Sequence, residues 1–294
     1  MILITGGAGV VGRRLCKGLI ERGLPIRVLD RPGTSLPWLD VELVHGDITD
    51  PTSMKGLFDG VETVYHLAAV ILPPDPSLFQ TINVQGTRNV MEAAIEAGVK
   101  HFVLISSASV IYPHTTAYSL SKREAEAMIS SQDAMAYTIV RPTLVYDENG
   151  GEEFMRYLDD LKRFPIVPLI GGGRAMKNPV HTDDIMAGLI AIAGNPKSHG
   201  QTYNFSGGEE LSMREMSELM LEHQGERRLF LPIPVWAGKL VAALLGAVMK
   251  NPPITRQMVA GVMQDANLDH SNATEHLGYE PKGAREGFQI CWPR

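Results

Sequence analysis

The sequence predicts an α/β protein with a doubly wound parallel sheet and a smaller C-terminal region. Short apolar β runs alternate with helical stretches through roughly the first half of the chain, and a glycine-rich segment links the first strand to the first helix. Because parallel strands need helical crossovers, this alternation indicates βαβ units. The predicted strands are Met1–Ile4, Ile26–Asp30, Val41–His45, Val61–Leu67, Phe102–Ser106 and Tyr137–Arg141, and helices are expected at Val10–Arg22 and Val84–Ala97.

The rhythm changes after about Tyr146, where proline and glycine turns begin to separate the apolar segments. We expect residues 1–145 to form the main domain and residues 180–206 to return to it. The remaining ranges, 146–179 and 207–294, are predicted to form a smaller substrate-binding region.

Glycines at positions 6, 9 and 12 lie in the first βα turn. Gly6 suits a tight turn, Gly9 a close approach of a pyrophosphate to the backbone, and Gly12 close packing of the helix. The helix N-terminus, with Val10 and Val11, supplies amide donors and a partial positive charge for phosphates. The turn therefore predicts a Rossmann fold that binds a dinucleotide.

The cofactor's identity depends on Asp30, which closes the second strand. A carboxylate there accepts hydrogen bonds from the adenosine ribose diol and repels a 2′-phosphate, so NAD is predicted. Arg31 is the complication, since its guanidinium could face the 2′-phosphate of NADP if Asp30 turned away.

Two further strand ends contribute to the predicted cofactor site. Asp47 and Ile48 follow the third strand, where the fold faces the adenine. Leu67, Ala68 and Ala69 follow the fourth strand, and the small alanine side chains let the backbone run beside the cofactor.

Tyr118 and Lys122 are four residues apart, which places them on one face of a helix. A free tyrosine has a pKa of roughly 10, and lowering this pKa by about two units takes roughly 2.7 kcal/mol. We expect the neighbouring ammonium, with the positive nicotinamide ring, to supply this stabilisation. Ser106 and Ser107 end the fifth strand, where a hydroxyl can hold a substrate oxygen beside Tyr118.

At this point the sequence resembles the extended short-chain dehydrogenase/reductase family, in its NAD-dependent epimerase/dehydratase branch. The resemblance covers most of the chain in the family's order, and its last segment resembles the one that closes many nucleotide-sugar epimerases. The matching segments are TGGAGVVG (5–12), Asp30, GDITD (46–50), HLAA (66–69), Asn83, LISSASVIY (104–112), YSLSK (118–122), RPTLVY (141–146), NPVHTDD (178–184) and LDHSNATEHLGYEP (268–281).

The resemblance implies a role for each matching residue. Ser107 positions the reacting oxygen, and Tyr118 is the general acid/base. Lys122 holds the nicotinamide ribose and tunes Tyr118, while Asn83 helps to keep Lys122 and a water in place. From the residues alone, Asn83 could equally cap or kink a helix. Pro142, with Leu144 and Val145 beside it, lines the nicotinamide side.

The sequence departs from the nucleotide-sugar pattern at three places. The loop Ala108–Ala117 lacks the usual insertion, Leu144 replaces an asparagine that touches the diphosphate in many members, and Lys177 replaces an arginine. Lys177 and Arg174 could still meet phosphates.

Three functions follow from these observations. A nucleoside-diphosphate-sugar 4-epimerase acting through a transient keto intermediate is the first hypothesis, supported by the resemblance. The short loop, Leu144 and the apolar stretch Val235–Met249 favour a second, an NAD(P)-dependent dehydrogenase or reductase of an apolar sterol- or flavonol-like molecule. A non-catalytic NAD-binding protein is the third, although such proteins commonly lose the tyrosine or the lysine.

The composition limits the kinds of partner and location that are expected for this protein. The net charge of −6 and the absence of a basic run argue against nucleic acid, and two cysteines without metal-type spacing predict no metal site and a reducing, cytoplasmic location. Val235–Met249 is predicted to be a core or interface helix with no membrane contact. In the family, the helices that carry Asn83 and Tyr118 pair across a two-fold axis, so a homodimer is expected.

Overall fold

A seven-stranded parallel sheet forms the centre of the computed structural model, which describes residues 1–148, 150–248, 259, 261 and 263–293. Its strands are β1 (Ile2–Thr5), β2 (Ile26–Asp30), β3 (Glu42–His45), β4 (Thr63–His66), β5 (His101–Ile105), β6 (Ala136–Pro142) and β11 (Gln201–Phe205). The strand order is β11-β6-β5-β4-β1-β2-β3, and every neighbouring pair is parallel. The predicted doubly wound α/β fold is confirmed.

Helices cover both faces of this sheet. The helices are α1 (Val10–Ile20), α2 (Thr87–Glu96), α3 (Ala117–Ser131), α4 (Glu152–Arg163), α5 (Thr182–Ile192), α6 (Met213–His223), α7 (Val235–Val248), α8 (Ser271–Leu277) and α9 (Ala284–Cys291). On one face α1 and α5 pack together so closely that a Cβ at Gly18 would lie 2.6 Å from Ile190 Cδ1. On the other face, α2 and α3 cover a second core cluster.

The six predicted strands are present, with ends that differ by at most two residues. The helix predicted at Val84–Ala97 is corrected: a π-helix occupies Phe79–Gly86, and α2 follows it from Thr87. The wider turn lets the Asn83 side chain leave the helix and bond the backbone of Val70, which periodicity in the sequence does not reveal.

A third core cluster lies outside the sheet, where α4, α6 and α9 pack together around Phe154, Met216 and Phe288. Short ladders border it: β7 (Val145–Tyr146) with β10 (Val180–His181), β8 (Ile166–Ile170) with β13 (Leu229–Ile233), and β9 (Met176–Lys177) with β12 (Leu211–Ser212). The strand β11 pairs with β6, so residues 201–205 belong to the main sheet. The division of the chain into two regions stays a prediction.

The apolar stretch Val235–Met249 forms α7 as far as Val248, and Met249 lies outside the described residues. The outward side of α7 is exposed, with Trp236 and Leu244 more than half accessible. Among the residues of α7 whose burial the structure describes, Gly238 and Ala242 are buried and most of the others are not, which fits an interface helix better than a core helix. Among the described residues, we find no helix of the length and apolarity needed to cross a bilayer.

Candidate active site

The glycine-rich turn between β1 and α1 has the geometry that its sequence predicts. Gly6 has a φ of +73°, a conformation that favours glycine, and a Cβ there would lie 2.8 Å from the Ala68 nitrogen. A Cβ at Gly12 would lie 2.4 Å from the Gly6 carbonyl oxygen, so the close approach of α1 to the turn requires a glycine at this position. At Gly9 a Cβ would meet only that same oxygen, at 3.2 Å, and its open side lines the cleft.

Asp30 is held in place at the end of β2 by three donors. Its Oδ2 accepts from the Ala8 nitrogen at 3.0 Å, and its Oδ1 accepts from the Arg31 nitrogen at 2.8 Å and Thr34 Oγ1 at 3.1 Å. The carboxylate lines a cavity of about 560 Å³. From the sequence-predicted set, this cavity is also lined by Gly6, Gly9, Arg31, Asp47, Ile48, Leu67, Ala68 and Ala69. Thr34 and Thr49 also line it and were not predicted from the sequence.

A second cavity, of about 330 Å³, continues the first toward α3. The two share Gly6, Gly9, Leu67 and Ala69, so one cleft runs along the carboxyl ends of the strands from Asp30 to the tyrosine. This is where open α/β sheets bind ligands. The predicted residues at this end are Val10, Val11, Gly12, Ser106, Ser107, Tyr118, Lys122, Pro142 and Val145.

Tyr118 lies in the first turn of α3, where Thr116 and Ser119 form a capping box that sets the start of the helix. Tyr118 and Ser107 line the same part of the cleft, and the Ser107 hydroxyl is close enough to lower the pKa of Tyr118. Ser107 in turn caps the short helix Ala108–Ile111, and its Oγ lies 2.9 Å from Ser109 Oγ. The fold thus brings the predicted serine and tyrosine together, and Ser109 joins them unpredicted.

Burial raises the pKa of Tyr118, the nearby Glu153 raises it further, and the contact with Ser107 lowers it. Lys122 is not among the protein groups that shift this pKa. Among the protein's own groups, desolvation of the phenolate outweighs the favourable contact with Ser107. The expectation that the ammonium and the nicotinamide ring together lower this pKa stays a prediction.

Lys122 is buried one turn after Tyr118, and its side chain lines the same cleft. Burial lowers its pKa to about 8, although Glu126 acts in the opposite direction. Glu126 instead forms a two-point ion pair with Arg141, at 2.9 and 2.6 Å. Within the described ranges, the Lys122 ammonium has no hydrogen bond or ion pair to protein. A buried donor that faces the cleft fits the hydroxyls of a ribose.

Asn83 is fully buried but does not line the cleft. Its side-chain oxygen accepts from the Val70 nitrogen at 2.8 Å, and its Nδ2 lies 2.9 Å from the Val70 oxygen and 3.2 Å from Ser121 Oγ. It ties the segment after β4 to α3 beside Lys122. None of these Asn83 hydrogen bonds involves Lys122 itself.

A third cavity, of about 510 Å³, opens beyond Ser107 and Tyr118. Its lining is mainly apolar and includes Leu144, which was predicted on the cofactor side. This placement is corrected, because Leu144, just before β7, and Val145, the first residue of β7, line different cavities. Lys177 also lines the cavity, but its Nζ donates to the Gln264 carbonyl, and burial lowers its pKa. Arg174 does not line the cavity.

Glu153 is a site residue that sequence reasoning missed. It lines both the cofactor cleft and the apolar cavity, next to Ser107 and Tyr118. Although its side chain is open to the cleft, the surrounding protein desolvates the carboxyl and raises its pKa. The sequence carries no signal for this placement, because Glu153 belongs to α4, outside the family's matching segments.

Glu148, His181 and Cys291 bring three potential metal ligands within 4.8 Å of one another. His181 Nδ1 accepts from the Asp183 nitrogen at 3.1 Å, which places the ring proton on Nε2. A protonated nitrogen does not ligate a metal. The absence of a metal site stays a prediction.

Comparisons with known proteins agree with this geometry. The model of the NAD dependent epimerase/dehydratase family matches residues 2–206. A 3 beta-hydroxysteroid dehydrogenase/Delta 5→4-isomerase of Mycobacterium tuberculosis is 29% identical, over 77% of this chain and 70% of that protein. Ceramide reductase of Caulobacter vibrioides is 32% identical over 67% and 62%.

Among solved structures, UDP-glucose 4-epimerase of Thermotoga maritima with UDP-glucose has a TM-score of 0.75 at 23% identity, covering 99% of this chain and 96% of that one. This likeness concerns the fold. The family match spans the glycine turn, Asp30, Tyr118 and Lys122. The chain therefore belongs to the NAD-dependent epimerase/dehydratase family, as its sequence predicted, and it is an enzyme with NAD as its cofactor.

Proposed function

We propose that the protein is an NAD-dependent oxidoreductase that interconverts a secondary alcohol and a ketone on an apolar, sterol- or lipid-like molecule. The observation that carries this proposal is the mainly apolar cavity of about 510 Å³ that opens directly against Ser107 and Tyr118. Apolar walls with a few convergent polar groups are typical of sites for such ligands. The named activities of the hydroxysteroid dehydrogenase and the ceramide reductase support the same substrate class.

The nucleotide-sugar 4-epimerase predicted from the sequence is the second candidate. Lys177 in the lining of the cavity favours it. A diphosphate carries at least two charges and is usually met by arginine forks or several donors. Lys177 is the one cation among the residues that line the described cavity, and a backbone carbonyl already accepts from it. We therefore place this activity second.

In the proposed reaction, Ser107 and Tyr118 bind the substrate's oxygen together. Bound NAD supplies the two-electron acceptor, or its reduced form the donor. On oxidation Tyr118 takes the hydroxyl proton as the carbonyl forms, and on reduction it returns that proton to the oxygen. Lys122 holds the ribose hydroxyls, and Asn83 acts as a positioning residue through the Val70 segment and Ser121.

The substrate class is tested with two panels. We expect 3β-hydroxysterols and long-chain secondary alcohols to give NADH at 340 nm, and UDP-glucose and UDP-galactose to remain unconverted by NMR of the anomeric protons. Leu144→Asn is expected to raise KM for the apolar substrates on the order of 10-fold, since it replaces an apolar contact. Interconversion of the UDP-sugars without turnover of any apolar alcohol would favour the epimerase.

We propose that the Asp30 carboxylate is what selects NAD over NADP. Asp30→Ser is expected to weaken NAD binding about 10-fold through loss of charged hydrogen bonds to the ribose diol, and to strengthen NADP binding by removing repulsion. Calorimetry with both cofactors measures this. Asp40→Asn, at an exposed position outside the cleft, is the control and should leave both affinities unchanged. Tighter NADP binding by the unchanged protein would contradict the assignment and direct attention to Arg31.

The homodimer also remains a proposal. α2 and α3 pack beside each other, and Ile95 and Leu120 on them are exposed apolar residues. These features support pairing of the two helices across a two-fold axis. The cytoplasmic location predicted from the sequence stays a prediction.

A further inference from the structure

An uncovered apolar surface lies on the C-terminal region, away from the catalytic cleft's lining. It consists of Ile166, Leu229, Leu231, Trp236, Leu240 and Leu244, which we call the apolar face. Leu229 is 71% exposed and Trp236 is 69% exposed. Single exposed apolar residues are ordinary, but several large exposed apolar side chains on one surface mark an interaction site.

The backbone explains why these side chains point the same way. In the parallel ladder, Leu229 pairs with Ile166 and Leu231 with Pro168, while Val167 and Leu169 turn inward to the core. Successive residues of a strand point to opposite faces, so Ile170 shares the outer face with Ile166.

The helix α7 packs on that same outer face, where a Cβ on Gly238 would lie 3.3 Å from Ile170 Cγ2. It covers one end of the ladder and leaves the other end open. Trp236, Leu240 and Leu244 recur at four-residue spacing on its outward side. Ladder and helix thus present adjoining apolar surfaces.

Basic groups border this face, although the whole chain has a net charge of −6. Lys239 is exposed and is the only charged residue of α7. Arg163 lies over the Phe164 ring at 5.5 Å, just before β8, and Arg227 is exposed just before β13. The acidic Glu226 is neutralised by Arg228 at 2.7 Å.

We propose that the apolar face docks the protein onto the surface of a bilayer that contains anionic phospholipids. The leucines and Trp236 enter the boundary between headgroups and acyl chains, and Lys239, Arg163 and Arg227 meet the lipid phosphates. Tryptophan is enriched at this depth. A second copy of the chain is a poorer occupant, since a two-fold contact brings together two faces that carry the same basic border.

The apolar face also connects to the active site. A Cβ on Gly171 would lie 2.4 Å from Met263 Sδ and 3.5 Å from Val235 Cγ2, so the start of α7 adjoins the segment whose Gly261 and Ala266 line the apolar cavity. Docking would therefore bring a lipid-like substrate close to the apolar cavity, and only this delivery rests on the proposed function. Docking itself does not depend on it.

The test measures the full chain's binding to vesicles without any substrate. Vesicles of phosphatidylcholine alone are compared with vesicles holding about one part phosphatidylglycerol to three parts phosphatidylcholine, by co-sedimentation. We expect the anionic vesicles to bind the protein and salt to weaken that binding. Trp236→Ser should lower the partition coefficient about 10-fold, and Lys239→Gln about fivefold.

Trp38→Ser is the matched control, because Trp38 is 60% exposed but lies outside the apolar face. It should bind vesicles as the unchanged protein does. The proposal is overturned if the unchanged protein stays in the supernatant with both vesicle types, or if Trp38→Ser loses as much binding as Trp236→Ser. Self-association in light scattering that Trp236→Ser abolishes, without vesicle binding, assigns the face to a second copy instead.

Discussion

Tyr118→Phe is expected to lower kcat on the order of 10²–10⁴-fold while folding and NAD binding survive. The change removes only the phenol oxygen, and the ring keeps its contact with Phe79, whose centroid is 6.0 Å away. The Ser107 hydroxyl retains Ser109 as a partner, so no buried group is stranded. The loss should therefore appear in turnover, measured with the apolar substrate panel, and not in thermal stability.

Tyr65→Phe is the matched control for this substitution. Tyr65 is fully buried, donates to the Leu189 carbonyl at 2.8 Å, and does not line the cleft. Its loss leaves that carbonyl unpaired and should cost about 1–3 kcal/mol of stability with kcat unchanged. A Tyr118→Phe protein that keeps full turnover would remove Tyr118 from the mechanism.

Lys122→Met is expected to weaken NAD binding and turnover, each on the order of 10-fold or more, because one ammonium serves both the ribose and the reacting centre. The same change should leave the melting temperature equal or higher. A buried ammonium without a protein partner is costly to fold, and methionine has a similar length without the charge. Calorimetry with NAD and thermal unfolding separate the two effects.

The effect of the Lys122 charge on the free energy of unfolding should depend on pH. Burial lowers the pKa of Lys122 to about 8, below its ordinary value of roughly 10.4 in an unfolded chain. Between these two values the unfolded state binds more protons, so this group's contribution to the stability rises with pH. As pH increases through this window, the melting temperature of the unchanged protein should therefore rise relative to that of Lys122→Met. Lys100→Met, at an exposed site paired with Glu62, should show no such trend. An equal loss of melting temperature in Lys122→Met at all pH values would assign Lys122 a structural role.

Local sequence patterns were enough for the parts of the cofactor site that are close along the chain. The glycine turn follows from steric limits on two neighbouring segments, and Gly12 could be assigned to close packing without any coordinates. Asp30 was predictable because it terminates a strand whose direction is set by the fold. Tyr118 and Lys122 share a helix face by simple periodicity.

Contacts between distant segments were less predictable. In the π-helix at Phe79–Gly86, Asn83 bonds Val70 and Ser121, and no periodic signal in the sequence indicates those partners. Burial among residues from several elements also raises the pKa of Tyr118. Desolvation is a property of the assembled cleft, so the residue's neighbours in sequence do not reveal it.

By itself, then, the sequence determined the parallel doubly wound fold, the NAD site, and the serine, tyrosine and lysine that meet in it. These features follow from the periodicity of strands and helices and from tight turns, which depend on residues close together in the chain. Only the tertiary structure decided that Glu153 joins the site, that Leu144 faces the apolar cavity, and that α7 leaves Trp236 uncovered. Each of these features depends on how α4, β7, β8 and β13 pack against segments that are distant in the sequence. Packing of that kind is set by the combined shapes of many side chains, which local patterns do not encode.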